Sequence, residues 1–401
     1  MNKFITLGMA ALLAACQQSQ KEQYSIDGML TGDNIETGMA YLQKYQNGEY
    51  VRLDSAVVEN GAFTLKGKVD YPEMYNLCIE LGDQTEEESA QKILWLNFYL
   101  ENSPISIEGD ANTLPEATWN PDKKYTKPVI RGSKTEDLYQ QLNQSLKAYD
   151  DSIVILNNRY GEEYYKPQFE KNSTVDYDKA GIAIVKEEQK QLALRQEKIL
   201  EFIKQNPTSV VALDQIKMIL SGAFTDFTVQ QIDDMYNLVA PSWQGTQQLQ
   251  ELSTMINAVK PLAMGEKYID IDVQTPDGKM VKLSSLIPEG KYTMLEFWAS
   301  WCGPCRGEIP HLRKVNKQYK DFAIISISVD EKEKEWQKAM KEEKMIWTQA
   351  RITDGIMGET VKKYNLTGVP TCIILDKEGR FYKTNMRGAY LDNVLQELYG
   401  E

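Results

Sequence analysis

One stretch, Glu296-Phe297-Trp298-Ala299-Ser300-Trp301-Cys302-Gly303-Pro304-Cys305-Arg306, constrains this chain more than any other. An apolar run of strand length passes directly into two cysteines three positions apart. Pro304 between them lacks an N–H, a loss that a helix tolerates only in its first turn. The junction therefore reads as a buried strand turning straight into a helix. Unpaired N–H groups and the dipole at a helix start favour a thiolate on Cys302, which can draw a thiol pKa from about 8.5 toward about 7. Three residues make about one helical turn, so Cys305 lies beside Cys302 and deeper. Gly303 keeps the approach to sulfur open. Cys302 is thus the candidate nucleophile, and Cys305 the thiol that resolves a mixed disulfide.

From about Pro261 onward the pattern around this junction alternates between strand and helix. An extended stretch with a turn at Asp277-Gly278 leads to a strand Tyr292 to Phe297, the helix after Cys302, a strand Phe322 to Val329 and a helix Glu333 to Lys344. A connecting helix near Glu359 to Tyr364 precedes strands Thr371 to Leu375 and Phe381 to Thr384, turned at Glu378-Gly379, and a last helix Leu391 to Leu398. This is a thioredoxin-like α/β order. With the cysteine stretch, it resembles the thioredoxins, and most of all the TlpA/ResA group of membrane-tethered bacterial thioredoxins, over about Gly265 to Glu401.

The resemblance implies roles for further residues. Glu296 occupies the place of the buried acid that accepts the proton of the deeper cysteine. Glu308, in Cys305-Arg306-Gly307-Glu308-Ile309-Pro310, matches the active-site glutamate of the ResA-like group, and Pro310 matches the kink proline of the helix. Gly368-Val369-Pro370-Thr371 matches the cis-proline loop opposite the cysteines, so Pro370 joins the catalytic set and Val369 offers its backbone to a substrate strand. Trp301, Gly303 and Pro304 are the other residues expected against substrate. A carboxyl buried beside a thiol should have a raised pKa and serve as both base and acid.

Competing chemistries fit less well. A zinc site would need more ligands than isolated Cys78 and Cys372 and the single His311 provide, and haem attachment needs a histidine where Arg306 stands. His311 reads as a partly exposed helix residue, and Cys78 and Cys372 read as small buried hydrophobes. A thioredoxin-fold peroxidase would need Pro and Thr where Leu295 and Ala299 occur, and a copper chaperone would need a histidine beyond His311. No nicotinamide or flavin motif is present, so no cofactor is expected. The family resemblance then implies re-reduction by a membrane thiol-reducing partner. A binding or scaffold lipoprotein with an accessory redox domain is the alternative reading.

The N-terminus reads as an export signal. Lys3 is a basic start, Phe4 to Leu12 is an apolar run too short to span a bilayer, and Leu13-Ala14-Ala15 is a small-residue cleavage site. Cys16 follows at once, so the segment resembles the lipobox of bacterial lipoproteins, in which that cysteine carries the lipid. At about 0.8 kcal/mol per buried methylene, two or more acyl chains hold a protein on a membrane. The expected location is the cell envelope, lipid-anchored and facing the periplasm, with disulfide-containing envelope proteins as partners. A net charge of -13 would repel a phosphate backbone, which excludes nucleic acid.

Between these ends lie two further regions. Short strands run from Tyr24 to Leu30, Met39 to Gln43, Tyr50 to Val57, Ala62 to Val69, Tyr75 to Glu80, Leu94 to Tyr99 and Ile105 to Glu108, with a hairpin signal at Asn60-Gly61. They read as a small sandwich, and Phe63-Thr64-Leu65-Lys66-Gly67 with Leu100-Glu101-Asn102-Ser103-Pro104 resembles the uncharacterised β-domain that often precedes envelope thioredoxins. At Ser133 the period changes to three and four, with Ser133 and Glu136 as a capping box. Helices are expected from there to Leu156, from Tyr177 to Lys204, Ser209 to Leu220, Thr228 to Leu238 and Gly245 to Val259, with Lys186 to Glu188 and Lys190 on solvated faces. The expected division is 1–15 signal peptide, 16–23 linker, 24–132 all-β domain, 133–260 helical region and 261–401 thioredoxin-like domain.

Overall fold

The computed structural model describes residues 23–46, 48–82, 92–169, 176–222 and 224–400. The expected signal peptide, Cys16 and nearly all of the linker lie outside the described residues. Two compact units divide between Gln141 and Leu142.

In the first unit, β1 (Tyr24–Thr31), β2 (Thr37–Gln46), β3 (Glu49–Glu59), β4 (Ala62–Gly67), β5 (Glu73–Leu81), β6 (Lys92–Leu100), β7 (Pro104–Asp110) and β8 (Val129–Arg131) form one sheet. Their order is β6-β5-β2-β3-β4-β1-β7-β8. Neighbours are antiparallel except the parallel pair β1 and β7. Asn60 (φ 49°) and Gly61 (φ 78°) turn β3 into β4 in the left-handed conformation that this dipeptide supplies. Alternate residues, among them Ile26, Leu42, Leu65, Leu77 and Phe98, make the core.

A single sheet replaces the expected sandwich. The chain beyond β7 runs back along the free edge of β6, where Trp95 N–H donates to the Pro115 carbonyl (2.8 Å) and Ala117 N–H to that of Ile93 (2.9 Å). An edge covered in this way no longer offers its backbone groups to another strand. The helix α1 (Lys134–Arg159) starts where Ser133 Oγ accepts the Glu136 N–H at 3.0 Å. Only half of the expected capping box forms, because the buried Glu136 carboxylate accepts the Tyr99 N–H at 2.8 Å instead.

The second unit holds α2 (Tyr177–Gln205), α3 (Val210–Ile219), β9 (Thr225–Thr228), α4 (Val229–Trp243), α5 (Gln247–Val259) and β10 (Ala263–Met264). Thr228 and Gln231 make both bonds of a capping box at the start of α4. The chain continues through β11 (Asp272–Gln274), β12 (Met280–Lys282), β13 (Tyr292–Trp298), α6 (Gly303–Gln318), β14 (Phe322–Ser328), α7 (Glu333–Glu342) and β15 (Thr348–Arg351). It ends with α8 (Glu359–Lys363), β16 (Thr371–Leu375), β17 (Phe381–Thr384) and α9 (Ala389–Tyr399). The sheet order is β12-β11-β15-β14-β13-β16-β17, with β13 parallel to β14 and antiparallel to β16. β13 is thus interior, and Met294, Leu295, Phe297 and Trp298 are all fully buried.

Glu188 is buried rather than solvated, because α9 lies against α2 and Tyr390 Oη–H donates to the Glu188 carboxylate. Asn393 Nδ2–H donates to Gln189 Oε1 across the same contact (3.1 Å). Gly181 makes that approach possible: a Cβ there would stand 2.3 Å from Tyr164 Cδ2 and 2.8 Å from Ala389 Cβ.

Candidate functional site

β13 ends at Trp298, and α6 begins at Gly303 with Cys302 as its N-cap. Cys302 and Cys305 form a disulfide. The Cys302 Sγ accepts the Cys305 N–H at 3.2 Å, one of the donors that a helix start leaves unpaired. Negative charge on that sulfur after reduction therefore has a donor in place. Cys305 is fully enclosed, whereas Cys302 keeps 5% exposure. Beyond its own chain neighbours and helix backbone, nothing lies within 4 Å of where a Cβ on Gly303 would stand, and Trp301, next to Cys302, is 61% exposed. Opposite, the Val369–Pro370 bond is cis, and the Val369 carbonyl oxygen is 3.7 Å from Cys302 Sγ.

Glu296 lies wholly inside the domain, on β13. Ser326 Oγ–H donates to its Oε2, and Oε1 has no partner among the described residues. Burial pushes its carboxyl up to about 7, the Ser326 bond pulls the other way, and the charge of Glu308 adds to the rise. A group with that proton affinity can trade protons with a thiol near neutrality. Directly opposite on β16 stands Cys372, whose buried thiol is pushed well above its ordinary value by desolvation and by Glu296. Cys78, in the first unit, is likewise buried, its thiol pushed up to about 11, largely by desolvation.

Glu308 stands one turn beyond Cys305 on α6, with Oε1 already engaged. It accepts from His311 Nδ1 and from the Gly388 N–H, both at 2.8 Å. His311 Nε2 donates to Asp392 at 2.8 Å, so both ring nitrogens face carboxylate oxygens. Burial opposes charge on this ring, but the bonds to Asp392 and Glu308 outweigh it and hold the imidazole up to about 10. His311 is thus a cation clamped between α6 and α9. Arg306, the residue after Cys305, is turned to Glu343 (2.7 Å) and Glu342 (3.1 Å) near the end of α7.

Asp330 escaped the sequence reading. Its buried carboxylate accepts from Ser300 N (2.9 Å), Ser300 Oγ (2.6 Å) and Ser328 Oγ (2.7 Å). Arg351 donates to the carbonyls of Asp330 (3.0 Å) and Glu331 (2.9 Å), fixing that backbone in turn. The turn that presents Cys302 is therefore held from two residues upstream. Nothing local in Val329-Asp330-Glu331 signals this, because the partners lie about thirty residues earlier and twenty later.

Known proteins match the two ends of the chain. Residues 24–139 match a family described as a domain of unknown function (DUF4369), and residues 290–381 one described as thioredoxin-like. The thiol-disulfide oxidoreductase ResA of Bacillus thuringiensis subsp. konkukian is 28% identical over 142 residues, which is 35% of this chain and 72% of the relative. The thioredoxin-like protein YneN of Bacillus subtilis is 31% identical over 122 residues, 29% of this chain and 66% of its own. Among solved structures, the thioredoxin domain of a thiol-disulfide oxidoreductase from Bacteroides vulgatus shares 31% identity, over 34% of this chain and 98% of its own, with a TM-score of 0.32.

Proposed function

We propose, from the premise that the C-terminal third of this chain is a thioredoxin-like domain of the thiol-disulfide oxidoreductase family, that Cys302 and Cys305 reduce disulfides in exported proteins of the cell envelope. One observation carries the reading. Cys302 Sγ, at a helix start, faces the Cys305 N–H on one side and the Val369 carbonyl on the other.

In the reduced protein the Cys302 thiolate attacks one sulfur of a substrate disulfide, and the other substrate sulfur leaves as a thiolate. Cys305 then gives its proton to Glu296 and attacks Cys302 Sγ, which frees the second substrate sulfur. Two electrons have passed to the substrate, and the Cys302–Cys305 disulfide remains. Exposed Trp301 and the backbone at Val369 and Pro370 are the surfaces against which an incoming peptide lies. Gly303 and Pro304 keep the lip of the site low. A lipid on Cys16 holds the domain at the membrane, where a thiol-reducing membrane partner restores the dithiol. Among the described residues no helix is long and apolar enough to cross the membrane itself.

Cys305→Ser tests the reading, since the first attack still occurs and cannot be resolved. Expressed in the native host, this variant is expected to accumulate mixed disulfides with exported proteins, released by reductant and identified by mass spectrometry. Capture of cytoplasmic proteins alone would overturn the envelope assignment.

Glu296→Gln is expected to slow exchange and flatten its pH profile near neutrality. The same substitution reads out on stability. A carboxyl with a folded pKa near 7 against 4.5 unfolded favours folding while protonated. That contribution is complete below about pH 4.5 and is lost as pH rises through about 7, on the order of 3 kcal/mol in all. Glutamine mimics the protonated acid, so the variant should gain urea resistance over the parent between pH 5 and pH 8. An unchanged gap across that range would show that Glu296 is not desolvated in solution.

A further inference from the structure

Glu296 receives its single hydrogen bond from one direction. Its side chain stands in a cross-strand row with Ser326 on β14 and Cys372 on β16, all three excluded from water. The Cys372 thiol and the Glu308 carboxylate, from β16 and α6, are the titratable groups coupled to it. Neither bonds to it. Ser326 Oγ–H donates to Oε2, and Ser326 Oγ in turn accepts the Trp347 Nε1–H at 2.8 Å. An indole N–H only donates, so the Ser326 proton cannot point at Trp347. The chain has one sense, from Trp347 to Ser326 to Glu296.

We propose that Ser326 and Trp347 are positioning residues that keep Glu296 Oε2 a permanent acceptor and confine the transferable proton to Oε1. The inference rests on Glu296 as the acceptor of the Cys305 proton. In the resolving step the Cys305 S–H bond breaks. The proton goes to Oε1, the electron pair forms the bond to Cys302 Sγ, and the bond from Cys302 to the substrate sulfur breaks, that sulfur leaving as a thiolate. Reduction of the disulfide returns the proton from Oε1 to Cys305. Ser326 donates to Oε2 in both states and itself moves no proton. A donor binds a carboxylate more strongly than a neutral acid, so losing it raises the proton affinity of a group that burial has already raised.

The test is a direct titration of the Glu296 carboxyl in the full-length protein, by carbon NMR of labelled glutamate, with the signal assigned by its loss in Glu296→Gln. Ser326→Ala should raise the midpoint by about one to two pH units, the size expected for a bond to a charged acceptor. Trp347→Phe keeps the ring and removes the N–H, and should give a smaller rise of the same sign. Midpoints unmoved in both variants, with cooperative unfolding retained, would overturn the inference. The pH-rate profile of exchange separates it from the reading beneath it. A midpoint that rises with its profile following supports both. A midpoint that rises while the profile stays in place leaves the donor chain standing and removes Glu296 as the proton acceptor.

Discussion

Cys302→Ser is expected to lower turnover of a protein disulfide by at least about a thousandfold, the loss typical of removing a nucleophile. A serine hydroxyl is not ionised at neutral pH and cannot form the mixed disulfide, so no second route through Cys305 replaces it. Cys305 is fully enclosed, and its N–H is spent on the Cys302 sulfur rather than on a thiolate of its own. The asymmetry makes the result diagnostic. Cys302→Ser should leave no covalent adduct with a disulfide substrate, whereas Cys305→Ser should form one and stall. Reduction of insulin by Cys302→Ser at near the parent rate would remove the assignment of Cys302 as nucleophile.

Equilibration with glutathione is expected to place the Cys302–Cys305 couple with the reductants. Gly303-Pro304 is the dipeptide between the cysteines of thioredoxin, near about -270 mV, whereas the oxidant DsbA lies near about -120 mV. At about 30 mV per 1.4 kcal/mol, those poles differ by about 7 kcal/mol, enough to decide direction. Strong oxidants stabilise their reduced form, chiefly as a thiolate, and the surroundings here offer little of that stabilisation. The guanidinium of Arg306 is committed to Glu342 and Glu343. The His311 cation is matched by Glu308 and Asp392. The buried carboxylates near the turn, Asp330 against Ser300 and Glu296 when ionised, add negative charge that disfavours a thiolate. A measured potential above about -150 mV would reverse the direction of electron flow proposed above.

What could be read in advance was what lies contiguous in the chain. The strand, the cysteine pair and the first turn of α6 run without a break from Tyr292 to Arg306, and Glu296 stands out because a charged residue inside an apolar strand has no cheap burial. The hairpin at Asn60-Gly61 and the cap at Thr228 are likewise local. The parts that escaped are assembled from distant segments. β15, Thr348–Arg351, shows no apolar alternation, because its Gln349 and Arg351 are buried and Arg351 pairs with Gln274 and the carbonyls after β14. Asp330 and the Trp347–Ser326 pair depend on strand register, which no single segment encodes. Glu188 reads as a surface residue until α9 covers it.

The close approach at Gly181 also bears on how such a chain can change over generations. With Ala389 Cβ and the Tyr164 ring already against the space that a Cβ on residue 181 would fill, that position cannot grow alone. A side chain at residue 181 would need both Tyr164 and Ala389 to give way, and a variant in which residue 181 alone has grown is overpacked. Gly388, next to Ala389, donates the N–H that holds Glu308, so the penalty of a mismatched pair lands one turn from Cys305. The helices α2 and α9 are therefore tied at this contact, and a foreign α2 joined to α9 would itself have to carry glycine at the position of Gly181.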